Sequence, residues 1–172
     1  VSVIDGPIES LKKAIIGVLS EDPEIPAARL FYQEVKAGVD LPAGRINFHG
    51  DVPTYVLSPE EAYRTFIVSV EWCAEEAGGV SGAMLASRLN ERTHGRLVET
   101  MSFTVGEGGD AVEYENELPQ TRINRFLEPE GYSSMIPLEQ GAILPYPDGI
   151  GKDKDVKRWC VGYFYHLRIQ RL

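Results

Sequence analysis

Cysteine is scarce in this chain: Cys73 and Cys160 are the only two among 172 residues, which excludes a small scaffold held together by several disulfides. Each sits in an apolar run, so the expectation is two reduced, buried thiols. Histidine is nearly as rare. His49, His94 and His166 share no helical i, i+4 spacing, so no zinc pair or other metal site is expected. Long apolar stretches are missing too, and none approaches the roughly 20 residues that a bilayer-spanning helix needs. No positively charged leader precedes an apolar segment at the start. The expectation is a soluble chain with no membrane contact. Basic charge is in deficit, 17 Lys and Arg against 26 Asp and Glu for a net charge of −9, the wrong sign for a protein whose work is to grip phosphates.

What remains is an ordinary globular composition, 43% hydrophobic and 25% charged. Such a chain has enough residues for one core, and folding should bury roughly 70% of its unfolded surface. We expect one domain, 1–172. Apolar residues Ile8, Leu11, Ile15, Val18 and Leu19 recur at helical spacing behind Asp5-Gly6-Pro7, predicting a helix over 7–19 that ends before Pro23 and Pro26. Residues 27–42 are ambiguous. Two short extended pieces, 45–48 and 54–57, joined by His49-Gly50-Asp51-Val52-Pro53, suit a hairpin.

Strict alternation from Arg64 to Cys73 then sets Phe66, Val68, Val70 and Trp72 on one face, predicting a strand with that face buried. A helix over 80–93 follows, expected to stop at His94-Gly95, and alternation resumes over 96–105. Beyond the turn Gly106–Asp110, residues 112–125 read as another strand with Glu113, Glu115 and Glu117 on one face. Periodicity then vanishes from 127 to 157, although Tyr132, Met135, Ile136, Leu138, Ile143, Leu144 and Tyr146 are scattered there. A long final strand, Trp159–Leu172, closes the sequence. The expected fold class is α+β, an α/β sandwich: a mainly antiparallel or mixed sheet packed by two main helices, with 127–157 as a long inserted loop or arm.

Chemistry is hard to find in these residues. Gly79-Val80-Ser81-Gly82-Ala83 resembles a Gly-x-Ser-x-Gly nucleophile elbow but lacks the last glycine, and Ser81 reads better as a helix cap. Gly149-Ile150-Gly151-Lys152 lacks the leading glycine and the Ser or Thr of a phosphate loop. No catalytic, cofactor-binding or metal-ligating set emerges, and an enzyme is not expected. Carboxylates 113, 115 and 117 are nearly 7 Å apart in succession along a strand, which suits a solvated face or the wall of a negatively charged channel better than a metal site. Arg122 and Arg125 are either surface charges or partners in ion pairs between subunits. The apolar residues of 127–157, which lose about 1.5–3 kcal/mol each if left in water, either fold back over their own sheet or dock on a neighbour.

The order of elements, an N-terminal amphipathic helix, a short hairpin with Val-Pro-Thr-Tyr-Val at 52–56, the strand 64–73, a helix over 80–93, a strand from 96 and a long last strand, resembles the tail-terminator (tail-completion) proteins of tailed bacteriophages. The 106–157 region departs from a minimal member by its length. The resemblance implies a homohexameric ring that ends the tail tube and receives the head connector or stopper, with no catalysis and no cofactor. Its partners would be the tail tube protein, the head-side protein and, in a contractile tail, the sheath protein, with DNA passing through unbound. It implies a virion protein of the tail or neck, assembled in the cytoplasm of the bacterial host. Glu113, Glu115 and Glu117 are then candidates for the lumen wall. Arg122, Arg125, Tyr132, Met135, Ile136 and Leu138 are candidates for the subunit interface. Other neck, head-closure or tube-like components would share this physics, and a small hydrolytic or ligand-binding α/β protein is the remaining alternative.

Overall fold

Pro7–Ser20 forms the first helix, α1, with Pro7 in its first turn and Leu11, Ala14, Ile15, Val18 and Leu19 buried along one stripe, close to the span that the spacing predicts. The computed structural model describes residues 6–36, 38–54, 63–150 and 157–172. After a short 3-10 turn, β1 (Leu30–Tyr32) lies parallel to β2 (Ala43–Thr54). The hairpin expected over 45–57 is instead one continuous strand with a bulge between Phe48 and Gly50, paired antiparallel with β3 (Tyr63–Ala74). Residues 55–57 of that expectation lie outside the described residues. The bulge absorbs the turn-like His49-Gly50 pair without ending the strand.

The last strand, β8 (Lys157–Arg171), is the organising element. It pairs antiparallel with β3 along one edge, and along the other it receives β6 (Tyr132–Ser134) and β7 (Leu138–Ile150) in series. The sheet order is β1-β2-β3-β8-β6, with β7 beside β8. All pairs but β1–β2 are antiparallel, and with its helices the fold is α+β. Gly162 of β8 allows Glu71 to lie across it, since a Cβ there would fall 2.5 Å from the Val70 carbonyl oxygen and 2.6 Å from Glu71 Cγ.

Three helices among the described residues cover one face of the sheet. The core joins α1 to Phe66, Val68, Val70 and Trp72 of β3, Tyr165, Leu167 and Ile169 of β8, Leu97 of α2 (Gly82–Val98), and Ile123 and Leu127 of α3 (Pro119–Leu127). Burial of such side chains contributes about 1.5–3 kcal/mol apiece. Ser81 caps α2 by accepting from the Met84 N–H at 3.2 Å. The helix does not stop at His94-Gly95: Arg96 and Leu97 are buried, and packing carries it one more turn. A short third helix joins the two expected main ones: the strand predicted over 112–125 ends at Glu117 and the chain turns helical from Pro119. No helix among the described residues is long and apolar enough to cross a membrane.

Two further expectations fail for reasons of packing. The strand from 96 is only β4 (Met101–Val105), which joins β5 (Val112–Glu117) in a separate two-stranded ribbon and not the main sheet. The patternless 127–157 stretch supplies β6 and β7, so most of it pairs with the chain's own β8. Three register shifts along β7 break the alternation that would have revealed it.

Candidate assembly surface

The ribbon is tied to the helical side by a cluster of arginines. Arg122 of α3 is fully buried, donating to the backbone carbonyls of Arg96, Glu99 (3.0 Å) and Glu117 (2.9 Å). Burial holds its pKa below the ordinary arginine value, an effect that the nearby Glu117 opposes. Arg125 bonds Glu21 at 2.7 and 3.0 Å and Glu117 at 2.9 and 3.0 Å. Burial works against its charge, but the hydrogen bonds to Glu21 and Glu117 outweigh it and raise its pKa. The same guanidinium stacks 4.0 Å from the Tyr114 ring centre, while Arg96 lies 4.4 Å from that of Phe103. Such cation–π contacts contribute about 0.5–2 kcal/mol each.

This arrangement separates residues that the sequence grouped. Glu115 and Asn116 together face Ser102 across a bulge, with Asn116 at φ 48°, and the extra residue turns Glu117 to the opposite side from Glu113 and Glu115. Glu117 is buried with Arg122 and Arg125, whereas Glu113 and Glu115 are exposed. As corrections, Glu117 lines no open channel within this fold, and Arg122, Arg125 and Tyr132 are engaged inside the subunit, Tyr132 belonging to the main core. Met135, Ile136 and Leu138 stay outside, 46%, 56% and 59% exposed.

On the helix-free face, β7 bends over the sheet and encloses a second polar cluster. Arg45 of β2 stands opposite Glu71 of β3 in register and bonds it at 2.8 Å. Arg45 also reaches the Tyr146 hydroxyl and, at 3.0 Å, Asp148. Burial disfavours the charge of Arg45, yet the Glu71 hydrogen bond and the attraction of Glu71, Tyr146 and Asp148 together outweigh it and raise its pKa. Tyr146 donates to Glu71, and burial with that bond pushes its phenol up to about 12. Arg158 donates to the carbonyls of Asp148 (2.7 Å) and Val35 (3.0 Å). Beside this cluster, Cys73 and Cys160 face each other in register on β3 and β8 and are joined by a disulfide, which corrects the expectation of reduced thiols while confirming their burial. Asp148 and both sulfurs lie within 4.8 Å of one another. The disulfide offers no thiolate, and the carboxylate is occupied by two arginines, so in this state the trio is not a metal centre.

The histidines are dispersed. His94 stacks on Tyr163 at 4.2 Å and bonds the Tyr165 hydroxyl at 3.2 Å, a role that periodicity could not reveal. His49 bonds Ser69 at 2.7 Å. His166 instead borders a hollow of about 280 Å³ that is lined by Thr65, Met135, Ile136, Leu138 and Arg168. Arg168 is exposed, its Nε donating to Thr65 Oγ1 at 3.2 Å. The hollow combines an apolar rim with a cationic group, and its position on the helix-free face leaves it open to solvent.

No family model and no curated protein sequence matches the chain. Among solved structures, a chain of the structure titled "Virion of native gene transfer agent (GTA) particle" is similar, with a TM-score of 0.49 and 12% identity over 94% of this chain and 96% of that one. At that level the likeness bears on neither role nor partner.

Proposed function

We propose that this chain is a structural subunit of a tailed-bacteriophage virion, a tail terminator that closes with copies of itself into a ring at the end of the tail tube and joins it to the head connector. The observation that carries the reading is the rim formed by Met135, Ile136 and Leu138. These side chains are about half exposed and line one hollow together, and covering them in an interface returns about 1 kcal/mol apiece. Apolar patches of this kind mark contact sites. The order of elements supports the tail-terminator identity. The role is mechanical, without turnover, cofactor or specific DNA contact.

Sedimentation velocity across a range of concentrations tests it. The wild-type chain should form a discrete multi-copy species, and Ile136→Asp should remove that species while leaving the circular dichroism spectrum unchanged. A wild-type chain that stays monomeric at high concentration contradicts the reading.

A further inference from the structure

The polar cluster beneath β7 surrounds the Cys73–Cys160 bridge, and the proposed ring makes no use of it. Strand register builds the arrangement. Cys73 of β3 pairs with Cys160 of β8, and Cys160 pairs in turn with Tyr146 of β7. Asp148 follows two residues later, where its carboxylate meets Arg45 and Arg158. One ligand atom from each of Cys73, Cys160 and Asp148 lies within 4.8 Å of the other two, and Cys160 Sγ is 3.6 Å from Asp148 Oδ2. The arginines hold the carboxylate in place. Arg45 Nη1 at 3.0 Å and Arg158 Nη2 at 3.3 Å both reach Oδ2, so they take two of the roughly four lone-pair sites that a carboxylate offers. Both cysteines are fully buried, whereas the Asp148 side chain is 31% exposed and gives the cluster an opening to solvent.

We propose that reduction of the bridge converts this cluster into a zinc site, with Cys73 and Cys160 as thiolate ligands, Asp148 as the third ligand and water in the remaining position. Sulfur and carboxylate oxygen are donors that zinc takes, and three protein ligands with one water make up a four-coordinate shell. Charge fits as well. Arg45 and Arg158 are matched by Glu71 and Asp148, and a divalent ion that displaces two thiol protons leaves that balance unchanged. The exchange is complete in atoms and electrons. A dithiol gives two electrons and two protons to the bridge, its own sulfurs join in a disulfide, and the Cys73–Cys160 bond breaks to two thiols. Zinc then releases both thiol protons to solvent. The ion takes no part in turnover; it replaces the bridge as the tie between β3, β8 and β7. Nothing in this inference depends on whether the chain forms a ring.

Cobalt(II) and zinc provide the test. After reduction with dithiothreitol and its removal without oxygen, the wild-type chain should bind one equivalent of cobalt(II) with a thiolate-to-cobalt charge-transfer band in the near ultraviolet, and zinc should displace it. The oxidised chain should give no such band, and neither should Cys160→Ser. Asp148→Asn keeps both cysteines and should weaken zinc binding by about tenfold or more, since losing a ligand costs at least as much as losing an outer hydrogen-bond partner. Zinc should also slow re-formation of the bridge by oxidised glutathione by at least about tenfold, because bound thiolates are withheld from exchange. A reduced wild-type chain that gives no cobalt band, whether or not circular dichroism shows it folded, overturns the proposal. So does Asp148→Asn that binds zinc as tightly as wild type, since a bare pair of thiols would then account for the metal.

Discussion

Arg45 and Glu71 face each other across β2 and β3 with Nε 2.8 Å from Oε2, both side chains largely shielded from water by the overlying β7. Removing one member strands the other charge in a poorly solvated place. Glu71→Ala should therefore cost about 3–5 kcal/mol in urea unfolding. Replacing the pair, Arg45→Met with Glu71→Leu, should cost much less, since no unpaired charge is left behind. Equal losses for the single and double variants would show that packing, not charge pairing, sets the value.

Cys73 and Cys160 close an 87-residue separation. In the chain-entropy account a loop of this length stabilises by about 4.6 kcal/mol. Thiol titration of the non-reduced protein in denaturant should find no free thiol, and dithiothreitol should lower the melting temperature. Two titratable thiols in the untreated protein would contradict the bond.

Tyr146 and Tyr163 have phenols pushed up to about 12, the first mainly by burial and the second mainly by its bond to Glu91. A folded-state pKa above the unfolded value of 10.0 means that the native state holds these protons longer. Their contribution to stability is complete below pH 10 and is lost as pH rises toward 12. Unfolding free energy should fall across that window, and Tyr146→Phe should flatten the slope. A slope that Tyr146→Phe leaves unchanged would remove Tyr146 from the account.

Arg125 ties β5 and α3 to α1 through Glu117 and Glu21. Arg125→Ala should destabilise the fold by about 2–4 kcal/mol and should accelerate amide exchange most strongly across 101–117. Uniform acceleration over the whole chain would argue against a local anchoring role.

The legible parts of this fold are those whose period is unbroken. Leu11, Ile15, Val18 and Leu19 mark α1, and Phe66, Val68, Val70 and Trp72 mark the buried face of β3. The other face of β3 carries no continuous apolar pattern, yet Ser69 and Glu71 on it are buried beneath structure contributed by distant residues. The start of α3 carried a signal, Pro119 at the first turn with Ile123, Phe126 and Leu127 at helical spacing, but the alternating glutamates before it drew the strand reading onward. β7 carried none, because its bulges scramble the alternation. The Arg45–Asp148 contact spans 103 residues, and the disulfide depends on the register between β3 and β8. Neither is a property of any local window. At the candidate site, exposed Met135, Ile136 and Leu138 were recognisable by composition, whereas the inward turn of Glu117 depends on the bulge at Glu115 and Asn116.

The most direct measurement of the central claim is negative-stain electron microscopy of the purified chain at the concentration where the sedimenting species forms. Class averages should show annular particles of uniform diameter with a central hole and rotational symmetry. Fields of single compact particles, or open filaments of indefinite length, would contradict a closed ring.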